Sequence, residues 1–177
     1  EVLLKGYRLC NRQTKLSLHI DILSRLVSRY GDMRKGDLLL MYLKRMDGLL
    51  NGAIAKDPKT ADNWRDVMVD CQTKYVRYYM NVKDFPKATA YVEKAKALFT
   101  SAVDSVYWLN VKLMELQIFG RTGEYDKGIA LTDSVAPYVE QNHVATFEVL
   151  TYYKSLLLRD KGDWDAGIDN LKYLLHK

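Results

Sequence analysis

Helix breakers are scarce in this sequence: 3 Pro and 10 Gly are spread over 177 residues. Pro interrupts a helix and Gly weakens its interior, so their scarcity leaves most of the chain free to be helical. Only 2 Cys are present, Cys10 and Cys71, far apart and in no metal-ligand spacing. A disulfide framework and a zinc site are thereby excluded as the basis of the fold. Two buried thiols are the remaining reading, which leaves the redox compartment open. The 3 His (His19, His143 and His176) stand singly, with no His-x-x-x-His pair. No apolar run nears the roughly 18–20 residues of a membrane span; the longest is Leu38–Leu43. Nothing alternates with the two-residue period of a strand.

Signatures of catalysis are missing too. The chain has no Gly-x-Gly-x-x-Gly, no Gly-x-Ser-x-Gly and no phosphate-cradling Gly-Lys-Ser/Thr loop. Cys71 lies in Asp70-Cys71-Gln72 with no base beside it, and a nucleophile needs one. Asp163 and Asp165 are close, but they fall at a helix start, where acids complement the dipole. The chain therefore reads as non-enzymatic, with no catalytic, cofactor-binding or metal-binding residue. Glu1-Val2-Leu3-Leu4 reads as the middle of a helix, without initiator Met or signal peptide, so a piece of a longer protein is expected.

What the chain does have is repetition. Lys83-Asp84-Phe85-Pro86-Lys87-Ala88 is written again as Gly123-Glu124-Tyr125-Asp126-Lys127-Gly128 and as Gly162-Asp163-Trp164-Asp165-Ala166-Gly167. The aromatics are 40 and then 39 positions apart, a period that marks stacked helical repeats. From each aromatic a stripe runs at +3, +7 and +10: Ala88, Val92, Ala95; Gly128, Thr132, Val135; Gly167, Leu171, Leu174. That series is one side of a helix, with its smallest residue first so that a neighbour can approach closely. A degenerate fourth copy is placed at Asp32-Met33, with Gly36, Leu40 and Leu43 as its stripe.

In chain order, a short helix over 1–11 precedes Lys15–Tyr30, which Gly31-Asp32 should end and recap. A long helix Asp37–Ala55 and the loop Lys56–Thr60 form an insertion, with Thr60 as the next cap. Helices then follow over Ala61–Asn81, Phe85–Leu98 capped by Asp84, Ser101–Phe119 with a Ser101/Asp104 capping box, and Tyr125–Tyr138. The last two run from an Asn142 cap to Asp160 and over Trp164–His176. The whole reads as a single domain, 1–177, of antiparallel hairpins, with units at about 15–55, 61–98, 101–138 and 142–177.

The turn motif and its stripe resemble the tetratricopeptide repeat, well over 61–177 and loosely over 15–55. Of the family's Trp-x-x-Leu-Gly-x-x-Tyr first-helix pattern only the last position remains, as Tyr79 and Phe119, with Leu158 in the third copy. The period also exceeds the family's usual ~34 residues, which implies first helices longer by more than a turn. The resemblance implies an all-α fold, a right-handed superhelix of antiparallel helical hairpins (an α-solenoid). Its length also resembles the repeat regions ahead of bacterial histidine kinases and some transcription factors.

The resemblance further implies ligand contacts on the first helix of each hairpin. Seven residues before the turn acid stand Arg25, Arg77, Gln117 and Leu156; three before it stand Arg29, Asn81, Arg121 and Asp160. Met80 and Arg159 occupy the neighbouring slot, and Asn110 and Tyr152 add amide and aromatic contacts. Arg25, Arg77, Arg121 and Arg159 would suit an acidic peptide or carboxylate; pairing with Asp21, Asp70 and Asp160 is the plainer reading. Thr73 and Arg77 stand where the family's chaperone-tail clamp has Lys and Asn, so that function is not indicated. Phe85, Tyr125 and Trp164 are expected as packing knobs, and Tyr78, Tyr107 and Tyr153 as partly exposed at most.

The function expected is a protein-, peptide- or ligand-binding module, the sensor or regulatory region of a larger bacterial signalling protein. It would be periplasmic in a sensor kinase and otherwise cytoplasmic. The alternative is a nucleic-acid-binding transcriptional regulator. Residues 1–48 hold ten Lys/Arg against five acids, the whole net +5, and Leu18–Leu26 would serve a helix-turn-helix. Interleaving of Arg with Leu and Ile favours a solvated helix face instead, so nucleic acid is not the expected partner.

Overall fold

A computed structural model describes residues 1–11, 13–99, 106–142 and 144–175, of which every element is helical. The chain divides into two compact units, Glu1–Leu98 and Phe99–Lys177. The first holds α1 (Val2–Leu9), α2 (Leu16–Asp32), α3 (Gly36–Lys56), a 3-10 turn (Pro58–Thr60), α4 (Ala61–Asn81) and α5 (Phe85–Lys96). Each helix packs on the next in sequence. The apolar sides that close on one another are Leu23 and Val27 of α2, Leu43 and Met46 of α3, and Tyr75 of α4, none above 2 % exposed. Packing that runs mainly between successive helices is what a repeat of helical hairpins dictates, and Tyr7 of α1 adds an edge-on contact to Tyr42 of α3.

The second unit holds α6 (Val106–Thr122), α7 (Tyr125–Asn142), α8 (Val144–Lys161) and α9 (Trp164–Leu175). Its core joins Leu109 and Leu116 of α6, Val135 and Val139 of α7, and Phe147, Leu150 and Leu157 of α8. Here α6 also touches α8 directly. Pro137 sits inside α7 on its exposed side; the N–H it lacks leaves a carbonyl one turn back to solvent, so the helix continues to Asn142.

Four turns share one geometry. Arg34 (φ 54°), Lys83 (61°), Gly123 (78°) and Gly162 (100°) are left-handed. In each, the following N–H donates to the carbonyl five residues back at 2.9 Å: Lys35 to Tyr30, Asp84 to Tyr79, Glu124 to Phe119 and Asp163 to Leu158. This is the Schellman closure of a helix C-terminus. It corrects the register of the first copy. Helix α2 passes through Gly31 to Asp32, and Lys35-Gly36, not Asp32-Met33, stands where Asp84-Phe85 stands. The stripe of α3 is accordingly Leu39, Leu43 and Met46, and the turns are 49, 40 and 39 residues apart. Gly31 misled because Gly commonly ends a helix, yet here the left-handed position falls to Arg34.

Caps divide as well. Asp84 Oδ1 accepts from the Lys87 N–H at 3.2 Å, and Asp163 Oδ1 from the Ala166 N–H at 3.3 Å. Thr60 makes no cap; its hydroxyl donates to the Asp57 carbonyl at 2.7 Å. The Ser101/Asp104 box, the Asn142 side chain, His143 and His176 lie outside what is described.

Candidate functional site

The stripe of α5 does the packing expected of it: Ala88, Val92 and Ala95 are at most 1 % exposed. Gly128 and Gly167 are both buried. At Gly128 an added Cβ would stand 2.7 Å from Leu157 Cδ1, and at Gly167 it would stand 3.2 Å from the Ser155 carbonyl. Glycine at both positions lets the helices close without displacing a neighbour.

The proposed contact residues separate by unit. In the first, Arg25 is paired with Asp21 (Nε to Oδ2, 2.9 Å), as the plainer reading had it. The corrected register removes Arg25 from the slot of Arg77, which falls on Ser28, with Asp32 in the slot of Asn81. The first-helix face of α2 is thus not basic there. Arg77 and Asn81 lie one turn apart on α4, both exposed. Asp70 pairs with Lys74, not with Arg77.

In the second unit, Asn110, Gln117 and Arg121 belong to α6, and Tyr152 and Arg159 to α8. The Gln117 amide donates to the Tyr153 hydroxyl at 2.8 Å, tying α6 to α8. Gln117 is thereby a structural contact first. Arg121 is exposed. Arg159 donates to Asp160 through Nε (2.8 Å) and Nη2 (2.6 Å). Tyr152 is 52 % exposed and meets Tyr153 edge-on.

Tyr152 and Arg159 also line a groove of about 170 Å³ between α8 and α9, with Leu156, Trp164, Ile168 and Leu171. Sequence reasoning missed this groove because it took Trp164 for a packing knob like Tyr125. Trp164 is 61 % exposed, Ile168 49 % and Leu171 39 %, whereas Tyr125 packs on the core of the unit. The difference has a visible cause. The equivalent groove between α6 and α7 is filled by Leu157 of α8, which lies against Gly120 and Gly128. Leu157 stands six residues before its turn acid Asp163. In the first unit Tyr78, six before Asp84, stands likewise against Gly36, where an added Cβ would be 3.3 Å from its ring. In both units, then, a side chain six residues before the turn enters the preceding hairpin.

The remaining chemistry is quiet. Burial, with Asp47 and Asp70 nearby, pushes the Cys71 thiol far above its ordinary pKa, so it is inert as a nucleophile. Cys10 is half-buried rather than buried, with Sγ 3.5 Å from the Gly6 carbonyl. Tyr107, at 38 %, is more exposed than expected. Among the described residues no group of His, Cys, Asp and Glu is placed to hold a metal ion, and no helix is long and apolar enough to cross a membrane.

No protein-family model matches the chain, and no curated protein resembles it significantly in sequence. Solved structures do match. A kinesin-light-chain-type protein of Podosopora anserina with nearly identical TPR-like repeats superposes with a TM-score of 0.71 at 11% identity, over 97% of this chain and 79% of its own. A point variant of that same protein gives 0.74 at 10%, over 99% and 81%. BtubC (BKLC) from P. vanneervenii gives 0.76 at 14%, over 98% and 69%. The fold is therefore a tetratricopeptide-like α-helical repeat.

Proposed function

We propose that the chain is a non-enzymatic protein-interaction module, and that the groove between α8 and α9 receives a further α-helix, carried by a protein partner or by a longer form of the same polypeptide. One internal comparison carries this reading: the equivalent groove between α6 and α7 is already filled by a helix, α8, through Leu157. A partner helix would bring an apolar knob of similar size to Trp164, Ile168 and Leu171, which supply most of the attraction. A carboxylate beside the knob would meet Arg159, whose planar guanidinium fixes orientation.

The test uses a synthetic peptide with the sequence of residues 144–161 and the emission of Trp164. Docking should give a saturable blue shift, absent in Ile168→Glu, which alters an exposed side chain and leaves the reporter in place. No shift in the native chain, or the same shift in Ile168→Glu, would overturn the proposal.

A finer reading makes the ligand an acidic peptide and the chain a regulatory region of a larger bacterial signalling protein. Its support is the exposure of Arg77 and Arg121 and the period near 40 residues. Arg77→Glu combined with Arg121→Glu should then abolish binding of an acidic peptide, and unchanged affinity would exclude it. A histidine-kinase or DNA-binding domain on the same polypeptide would support the regulatory part.

A further inference from the structure

The first unit holds an open groove of about 950 Å³, separate from the helix site. Its floor is one side of α3, where Arg45, Gly48, Gly52 and Lys56 recur at helical spacing. Its wall is made by Asn11 and Thr14, which follow α1, and by His19 from the first turn of α2. The wall is held by its own bonds. The Asn11 N–H donates to the Thr14 hydroxyl at 2.9 Å, and the Gln13 N–H to Asn11 Oδ1 at 2.8 Å. A Cβ at Gly48 or Gly52 would meet nothing within 4 Å. Two glycines inside a helix cost stability, yet neither is required by packing; both leave the backbone of the groove floor bare.

The charge of the groove has one sign. Arg45, Lys56 and His19 line it, and no Asp or Glu does among the described residues. Arg45 lies over the Tyr7 ring, 5.7 Å from its centroid, and the His19 ring is 5.8 Å from the same ring. His19 Nε2 is buried without a hydrogen-bond partner, a deficit that a ligand oxygen would remove once the imidazole turns toward the groove. Burial and the neighbouring Arg45 hold the imidazole below its usual pKa, which favours its neutral form. Arg45 and Lys56 are eleven residues apart on one helix, which is about 16 Å at ~1.5 Å per residue. An extended peptide covers that distance in about five residues.

We propose that this groove is a second binding site, for an extended acidic peptide segment with carboxylates reaching Arg45 at one end and Lys56 at the other. The bare stretch at Gly48 and Gly52 admits the peptide backbone between them, and His19 answers the carboxylate at the Arg45 end. Two permanent cations would neutralise only two phosphates of a nucleic-acid strand, whose binding rests on many such contacts, so a peptide is the better match.

The experiment titrates the full chain with a fluorescein-labelled hexapeptide carrying Glu at both ends and Gly/Ser between, read by anisotropy. Saturable binding is expected, weakened at least tenfold by Arg45→Gln with Lys56→Gln. Gly48→Leu with Gly52→Leu should weaken it as much while raising Tm, because leucine forms helix better and the space is open; loss of binding then cannot be loss of fold. The His19 imidazole, followed by NMR, should titrate at higher pH in the complex than in the free chain. Affinity should rise as pH falls through that value, and His19→Gln should remove the rise. Unchanged affinity in the leucine pair, equal binding of a Gln-ended peptide, or tighter binding of an oligothymidine with steep salt dependence would overturn the proposal. None of these variants touches Trp164 or Ile168, so this site and the helix site fail separately.

Discussion

Leu157 occupies the space that a side chain at Gly128 would need, its Cδ1 lying 2.7 Å from where a Cβ would stand. With Phe147 and Leu150 of the same core, this contact closes the α6–α7 hairpin against α8. Leu157→Ala should cost about 2–5 kcal/mol, the range for emptying a buried leucine site. Gly128→Ala gains about 1 kcal/mol of helix propensity but forces Leu157 aside, for a net cost of about 1 kcal/mol. In the double variant the new methyl enters the vacated space, so the two costs should fall short of additive by about 0.5–3 kcal/mol. Urea unfolding of the four proteins measures it. Strict additivity would mean that the two residues do not share a cavity.

The four left-handed turns predict opposite responses to glycine. Arg34 and Lys83 bear a side chain where glycine carries no steric penalty. Lys83→Gly and Arg34→Gly should each stabilise by about 0.5–1 kcal/mol, and Gly123→Ala and Gly162→Ala should each destabilise by about 1 kcal/mol. Midpoints of chemical denaturation decide between this and a turn that relaxes to accept either residue.

The helices and three of the four turns were legible because Asp84, Glu124 and Asp163 repeat beside an aromatic and a small residue. The fourth was misplaced by three residues, since Lys35-Gly36 carries neither the acid nor the aromatic and Gly31 offers a false stop. That shift also displaced Arg25 from the contact series. The exposed Trp164 was illegible for another reason: its motif matches Tyr125, and exposure depends on what lies across the groove, not on the residue. His19 and Gly48 were passed over because a basic groove is assembled from a loop and two helices that no local pattern joins.

Exposed ion pairs at the turns give a pH dependence of known sign. The Lys87 ammonium bonded to Asp84 holds its carboxyl below the ordinary value of 3.8, and Lys127, with Thr122, holds Glu124 below 4.5. Groups whose folded pKa is depressed add stability above their unfolded pKa and lose it as pH falls through the folded one. Asp126 raises Lys161 above 10.5, so that contribution is complete below 10.5 and is lost as pH rises through the folded value. Asp84→Asn with Glu124→Gln should flatten the acid limb of Tm against pH, and Lys161→Met the alkaline limb. All three pairs face solvent, so 1 M salt should reduce each effect. Limbs unchanged by these substitutions would remove the pairs from the account.

Trp164 and Tyr125 occupy the same place in the repeat but should fail in different assays. Tyr125 is half-buried against the core of the second unit; Tyr125→Ala should cost about 2 kcal/mol, part of the penalty for a fully buried aromatic. Trp164 is 61 % exposed, so Trp164→Ala should change stability by no more than about 0.5 kcal/mol. Binding should reverse the order. If the α8–α9 groove takes a partner helix, Trp164 is its largest apolar contact, and Trp164→Ala should lose about 2 kcal/mol of affinity for the 144–161 peptide, or about thirtyfold in Kd. Calorimetric titration reads the second effect and thermal melting the first. A Trp164→Ala protein that melts several degrees lower would place the indole inside the fold and remove the groove as a docking site.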